Sequence, residues 1–154
     1  MRTLALVVAA ALAAGCVRTQ SNPATGSTDI DVESPTKRGE DWSGRLTGQG
    51  MYAGVSGGMN ANVVDGRTTA SVNIEGAAPD AVHPWHIHEG KCGSGGPIVG
   101  DPMAYPPLRI GADGRAADNA TVLVGLNEAK DYFVNVHAST TDLATIVACG
   151  DLDD

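Results

Sequence analysis

The chain has 154 residues, 18 of them acidic and 10 basic, for a formal net charge of −8. That balance, with no basic cluster anywhere, excludes a nucleic-acid-binding surface. It also repels anionic substrates unless positive charge is concentrated locally.

The first residues read as an address rather than as fold. Met1-Arg2 is a short basic start, and residues 4–14 are an apolar run too short to span a membrane as a mature helix. Ala13-Ala14-Gly15-Cys16 follows, small residues ending in cysteine. Residues 1–15 therefore read as a bacterial export signal with a lipobox, cleaved before Cys16, which then carries lipid. The alternative is an ordinary secretory signal cut nearby, with Cys16 lost or free. Loss of Arg2 with the leader makes the mature chain one unit more negative. Val17 stands where an aspartate would mark inner-membrane retention, which favours the periplasmic face of the outer membrane. Residues 16–41 are rich in Ser, Thr, Asn, Pro and Asp with no apolar periodicity, as in a flexible tether.

Residues 42–154 are long enough for one domain and one core. Short apolar segments alternate with turn signals at Ser56-Gly57-Gly58, Asp65-Gly66, Gly76 to Pro79 and Asp113-Gly114. The expected strands are 42–49, 50–55, 59–64, 68–74, 84–89, 116–124, 132–138 and 145–149. Thr69 to Ile74 alternates apolar and polar residues, the mark of a half-buried antiparallel strand. Asp65-Gly66 suits a two-residue hairpin turn, and residues 125–130 suit one helical turn. Many short strands with no long helix predict an all-β sandwich or barrel. Residues 90–108 hold six glycines or prolines before Asp101 and three prolines after it. An irregular stretch of that length in a small domain is usually functional or pinned by a crosslink.

The chemistry concentrates in His83-Pro84-Trp85-His86-Ile87-His88-Glu89-Gly90-Lys91-Cys92, which holds three of the four histidines. In an extended strand, His86 and His88 point to one face and Ile87 to the other. The fourth histidine, His137, lies in a separate predicted strand. Three imidazoles from two segments make a nitrogen site that suits copper or zinc. The bland alternative is half-buried, hydrogen-bonded histidines. Cys92 and Cys149, two cysteines in an exported domain, read as one disulfide, the alternative being two reduced buried thiols. Glu89 reads as a surface or supporting residue, Trp85 and Tyr132 as core or rim aromatics, and Asp142 and Asp151 to Asp154 as solvated charge. Met51, Met59 and Met103 are too scattered for a copper relay.

These pieces together resemble the Cu,Zn superoxide dismutase family. His83-Pro84-Trp85-His86-Ile87-His88-Glu89 is similar to its first copper-ligand strand, and Val134-Asn135-Val136-His137 to its last. Cys92 and Ile146-Val147-Ala148-Cys149-Gly150 are similar to the two halves of its intrasubunit disulfide. The resemblance covers about residues 42–152. It implies a Greek-key β-barrel of about eight short antiparallel strands, with one copper per chain on His86, His88 and His137. It also implies a hydrogen-bonded structural role for His83, a Cys92–Cys149 disulfide, and superoxide as the substrate dismutated to oxygen and hydrogen peroxide. Two departures stand out. No histidine lies between Glu89 and Val136, so zinc as that family binds it is not expected. The family's arginine three residues before the second cysteine is Ile146 here. A second resemblance, to the CHRD domain, rests on His86-Ile87-His88, Gly95-Gly96-Pro97-Ile98-Val99 and Tyr132 to His137, and implies an all-β module with no established catalysis. Three functional expectations follow: a copper-dependent superoxide dismutase, a copper-binding or buffering protein, and a metal-free structural module.

Overall fold

The computed structural model describes residues 39–154. The leader at 1–15, Cys16 and most of the 16–41 tether lie outside these residues. The described residues are all-β. They form nine strands: β1 (Glu40–Gly48), β2 (Ser56–Val64), β3 (Arg67–Glu75), β4 (Val82–His83), β5 (Trp85–Glu89), β6 (Leu108–Arg109), β7 (Ala116–Val122), β8 (Tyr132–Ser139) and β9 (Asp142–Leu152). Seven make one antiparallel sheet in the order β5-β8-β9-β1-β2-β3-β7, and β4 pairs with β6. β9 follows β8 through a tight hairpin at Ser139–Asp142 and lies beside β1 of the β1-β2-β3 meander, so the last strands of the chain pair with its first, as in a Greek-key barrel. β4 packs against β8 and β6 against β7, so the small pair sits between the two ends of the curled sheet.

Local chemistry explains the elements. β3 alternates exposed and buried residues along its length, with Thr68, Ala70, Val72 and Ile74 inside. Asp65 and Gly66 both take positive φ, 50° and 73°, the two-residue turn whose twist matches a hairpin. On the core face, Trp85 and Ile87 of β5 meet Val136 and Val134 of β8, all 0–1 % exposed. Each such side chain contributes about 1.5–3 kcal/mol through burial.

Four expectations need correction. Residues 50–55 are not a strand; Gly50–Tyr52 is a 3-10 turn that closes the β1–β2 hairpin, entered by Gly50 at φ +54°. Ser56-Gly57-Gly58 is not a turn but the start of β2, where Gly57 lets the Asn73 carbonyl approach closer than any Cβ would allow. Residues 125–130 form no helical turn. There the Asn127 side chain accepts the Ala129 N–H at 2.9 Å, and the Asn127 N–H donates to the Tyr132 hydroxyl at 3.1 Å. Such local side-chain bonds compete with helix. Finally, Asp151 belongs to β9, where its carboxylate accepts the Cys92 N–H at 2.7 Å, so it is a tie rather than free surface charge.

β8 is the strand that positions the site. Residues 132–137 are all buried, so both faces of this strand are covered. Tyr132, Val134 and Val136 face the core, while Phe133, Asn135 and His137 lie beneath the irregular segment that follows β5.

A candidate metal centre

His86, Ile87 and His88 are extended in β5, and Ile87 is fully buried in the core. The two histidines therefore leave the sheet on its outer side. Across the ladder His86 pairs with Asn135 and His88 with Phe133. His137 lies two residues beyond Asn135, next to a register shift in the β8–β9 pairing. A bulge of this kind re-aims a side chain. The His137 N–H donates to the Pro84 carbonyl at 2.8 Å and ties the two strands at the site.

The three rings converge. Ligand atoms of His86, His88 and His137 all lie within 4.8 Å of one another, and all three residues are buried. Which nitrogen faces inward follows from the partners of the other. His88 Nδ1 is 2.8 Å from the Gly96 carbonyl and His137 Nδ1 is 2.7 Å from the Leu143 carbonyl. A carbonyl only accepts, so each Nδ1 carries the proton and each Nε2 is left as a lone pair. His88 Nε2 is buried with no hydrogen-bond partner. His86 Nδ1 lies 3.2 Å from His137 Nε2. The nitrogens facing the common point are thus Nε2 of His88 and Nε2 of His137, and His86 turns its Nδ1 toward the latter. Carbonyl bonds on the outer nitrogens are how proteins fix the tautomer of metal-binding histidines.

Burial keeps the rings unprotonated. His86 is pushed down to about 4, first by desolvation and then by the nearby His137 and His88. Burial also lowers His88, against the opposing pull of the Gly96 carbonyl. His137 is lowered chiefly by burial, with the Leu143 carbonyl opposing and His88 adding to the shift. Neutral imidazoles with free lone pairs are what a metal ion requires. These residues form a group able to hold one metal ion.

The surroundings hold the rings in place. Phe133 stacks on His88 with centroids 5.1 Å apart, and Tyr105 meets His86 edge-on at 5.4 Å. The Tyr105 hydroxyl donates to the Val99 carbonyl at 2.7 Å, and burial raises it to about 12. The segment after β5 folds back on that strand through Glu89 N–H to Pro97 O and Val99 N–H to Ile87 O. Gly96 is required there, because a Cβ would strike the Glu89 carbonyl oxygen. A disulfide joins Cys92 to Cys149, with Cα atoms 5.8 Å apart, and pins the same segment onto β9.

His83 stands apart from the trio. Its Nδ1–H donates to the carbonyls of His137 at 3.0 Å and Ala138 at 3.1 Å, so it holds the backbone that carries His137. Glu89 points away and pairs with Lys130 at 2.8 Å. A cleft of about 580 Å³ opens beside His88 and His137. Met51, Tyr52, Leu143, Thr145 and Ile146 form part of its wall, and no charged side chain lines it. Arg115 is engaged with Glu75 at 3.0 Å, and Arg109 sits on β6 opposite Val82; neither reaches the cleft. Sequence reasoning missed Tyr105, Phe133 and Asn135. For the last two the signal was present, since they precede His137 at intervals of two on the same strand.

No family model matches the chain, and no curated protein matches it.

Proposed function

We propose that this domain is a copper-binding protein of the Cu,Zn superoxide dismutase type, anchored in the bacterial cell envelope, with superoxide as its substrate. The observation that carries the reading is the convergence of three neutral, buried imidazoles, two of which, His88 and His137, have their other nitrogen already committed to a carbonyl. Nitrogen donors with an accessible side suit copper, the Cys92–Cys149 staple accords with an exported domain, and β5 and β8 supply the two ligand strands that the resemblance calls for. Bound copper supplies one-electron redox chemistry, which dismutation requires and zinc lacks. His86, His88 and His137 hold the ion, the Gly96 and Leu143 carbonyls fix two of the rings, and the cleft gives a small ligand access.

A second reading, copper holding without turnover, is favoured by one specific observation. The cleft contains no cation to draw in an anion, and the chain as a whole is acidic. Both readings are tested by one pair of measurements on protein purified from the envelope: copper bound per chain, and superoxide turnover against an equal concentration of free copper. One copper with turnover above the free ion supports the dismutase; one copper without it supports the holding role; no uptake at one equivalent ends both. The anchor is tested separately, by loss of radiolabelled palmitate incorporation in Cys16→Ala.

A further inference from the structure

The face that carries the three imidazoles holds one more buried polar side chain, Asn135. It lies directly opposite His86 in the β5–β8 ladder and two residues before His137, so its side chain leaves the sheet on their side. It is 8 % exposed and borders the same cleft as His88 and His137. Its Oδ1 is buried without a hydrogen-bond partner.

An unpaired amide oxygen in a buried position is destabilising, and nothing about strand packing calls for one. Phe133, its neighbour on that face, is apolar and fully buried. The other orphaned atom in this cleft is His88 Nε2, which the Gly96 bond leaves as a lone pair. Two acceptors cannot satisfy each other. A donor or a positive charge is needed to satisfy both, and beside three converging imidazoles a metal ion supplies it. Buried polar groups without a partner mark the place of a missing water or ion; the remaining such atom among the described residues, Trp42 Nε1, lies away from this cleft, whereas the two acceptors here lie together beside the imidazoles.

We propose that Asn135 is the oxygen donor of the metal centre and that it sets which oxidation state of copper the site prefers. The inference rests on the copper-binding reading and adds a residue to it. Three imidazoles alone satisfy Cu(I), which accepts low coordination and soft donors. A neutral amide oxygen is a harder donor and adds chiefly to Cu(II). Asn135 therefore shifts the site toward Cu(II) and leaves Cu(I) affinity nearly unchanged.

The test compares wild type with Asn135→Leu, which keeps the size and removes the oxygen, and with Asn135→Asp, which strengthens the donor. Cu(II) and Cu(I) affinities come from separate chelator competitions, and the electron paramagnetic resonance spectrum of the Cu(II) form reports its donor set. In Asn135→Leu, Cu(II) affinity falls about tenfold or more, in the range seen for lost supporting groups at metal sites. Cu(I) affinity stays within about twofold, because the imidazoles are untouched. The copper hyperfine splitting changes with the loss of the oxygen. In Asn135→Asp, Cu(II) affinity rises relative to Cu(I) and the spectrum shifts again; this variant decides the matter if the leucine protein does not fold. Spectra and affinity ratios equal to wild type overturn the role of Asn135 and leave copper binding intact. A wild-type protein that takes up no copper removes both.

Discussion

At the scale of single residues, position in the hydrogen-bond scheme separates ligands from supports. His86, His88 and His137 keep a nitrogen free, whereas His83 spends its Nδ1–H on two backbone carbonyls. Alanine at any of the first three is expected to weaken copper binding by more than about a hundredfold, beyond what a lost supporting partner does. His83→Ala should keep one copper per chain yet lose roughly 1–3 kcal/mol of stability, since it strips a donor from buried carbonyls. Metal analysis together with denaturant unfolding distinguishes the two outcomes. The same rings make the metal-free protein sensitive to acid. Their folded pKa values lie below the free value of 6.5, with His86 at about 4. The unfolded chain then binds protons more readily than the folded one, so stability is full above about pH 6.5 and declines as pH falls toward 4. Unfolding midpoints of the apo protein across that window should drop; a midpoint unchanged from pH 7 to 4 would count against buried neutral rings.

At the scale of elements, the segment following β5 and strand β9 act as a clamp. The Cys92–Cys149 bond and the Asp151 carboxylate both fasten that segment, and its Gly96 carbonyl fixes His88. Replacing both cysteines by serine is expected to remove roughly 2–5 kcal/mol of stability. It should also lower copper affinity, because the Gly96 carbonyl loses its anchorage. Competition titration on the reduced-size clamp variant checks this: equal affinity with and without the disulfide would show that the crosslink has no part in orienting His88. The elements also show where pattern reading falters. Glycine punctuates a turn at Gly66 but permits close strand packing at Gly57, and the sequence looks the same in both places. Residues 50–55 alternate passably as a strand, yet the short span between β1 and β2 forces a tight turn.

At the scale of the whole molecule, charge sets the approach of a small anion. The chain carries a net charge of −8 and the cleft beside the histidines is uncharged. Any superoxide turnover should therefore rise or stay flat as salt is added, the reverse of a positively steered site. Ile146→Arg places a cation on the cleft wall. If the site turns over superoxide, that variant should be about tenfold faster at low ionic strength and lose the gain as salt increases. Rates measured across ionic strengths decide this, and a variant with no gain at low salt would remove electrostatic approach as the limiting factor.

The all-β class, the β2–β3 hairpin and the pairing of His86 with His88 on one face were all legible in the sequence, because each depends on spacing within a few residues. The period of two along a strand and the positive φ of Asp-Gly are local properties, fixed before any tertiary contact forms. The family resemblance anticipated His137 as their partner, but only tertiary structure brings it to that pair across 48 intervening residues, decides which nitrogens face inward, and places Asn135 and Tyr105 beside the site. Those facts depend on which strands become neighbours and on which backbone carbonyls reach the rings, and no short stretch of sequence specifies either.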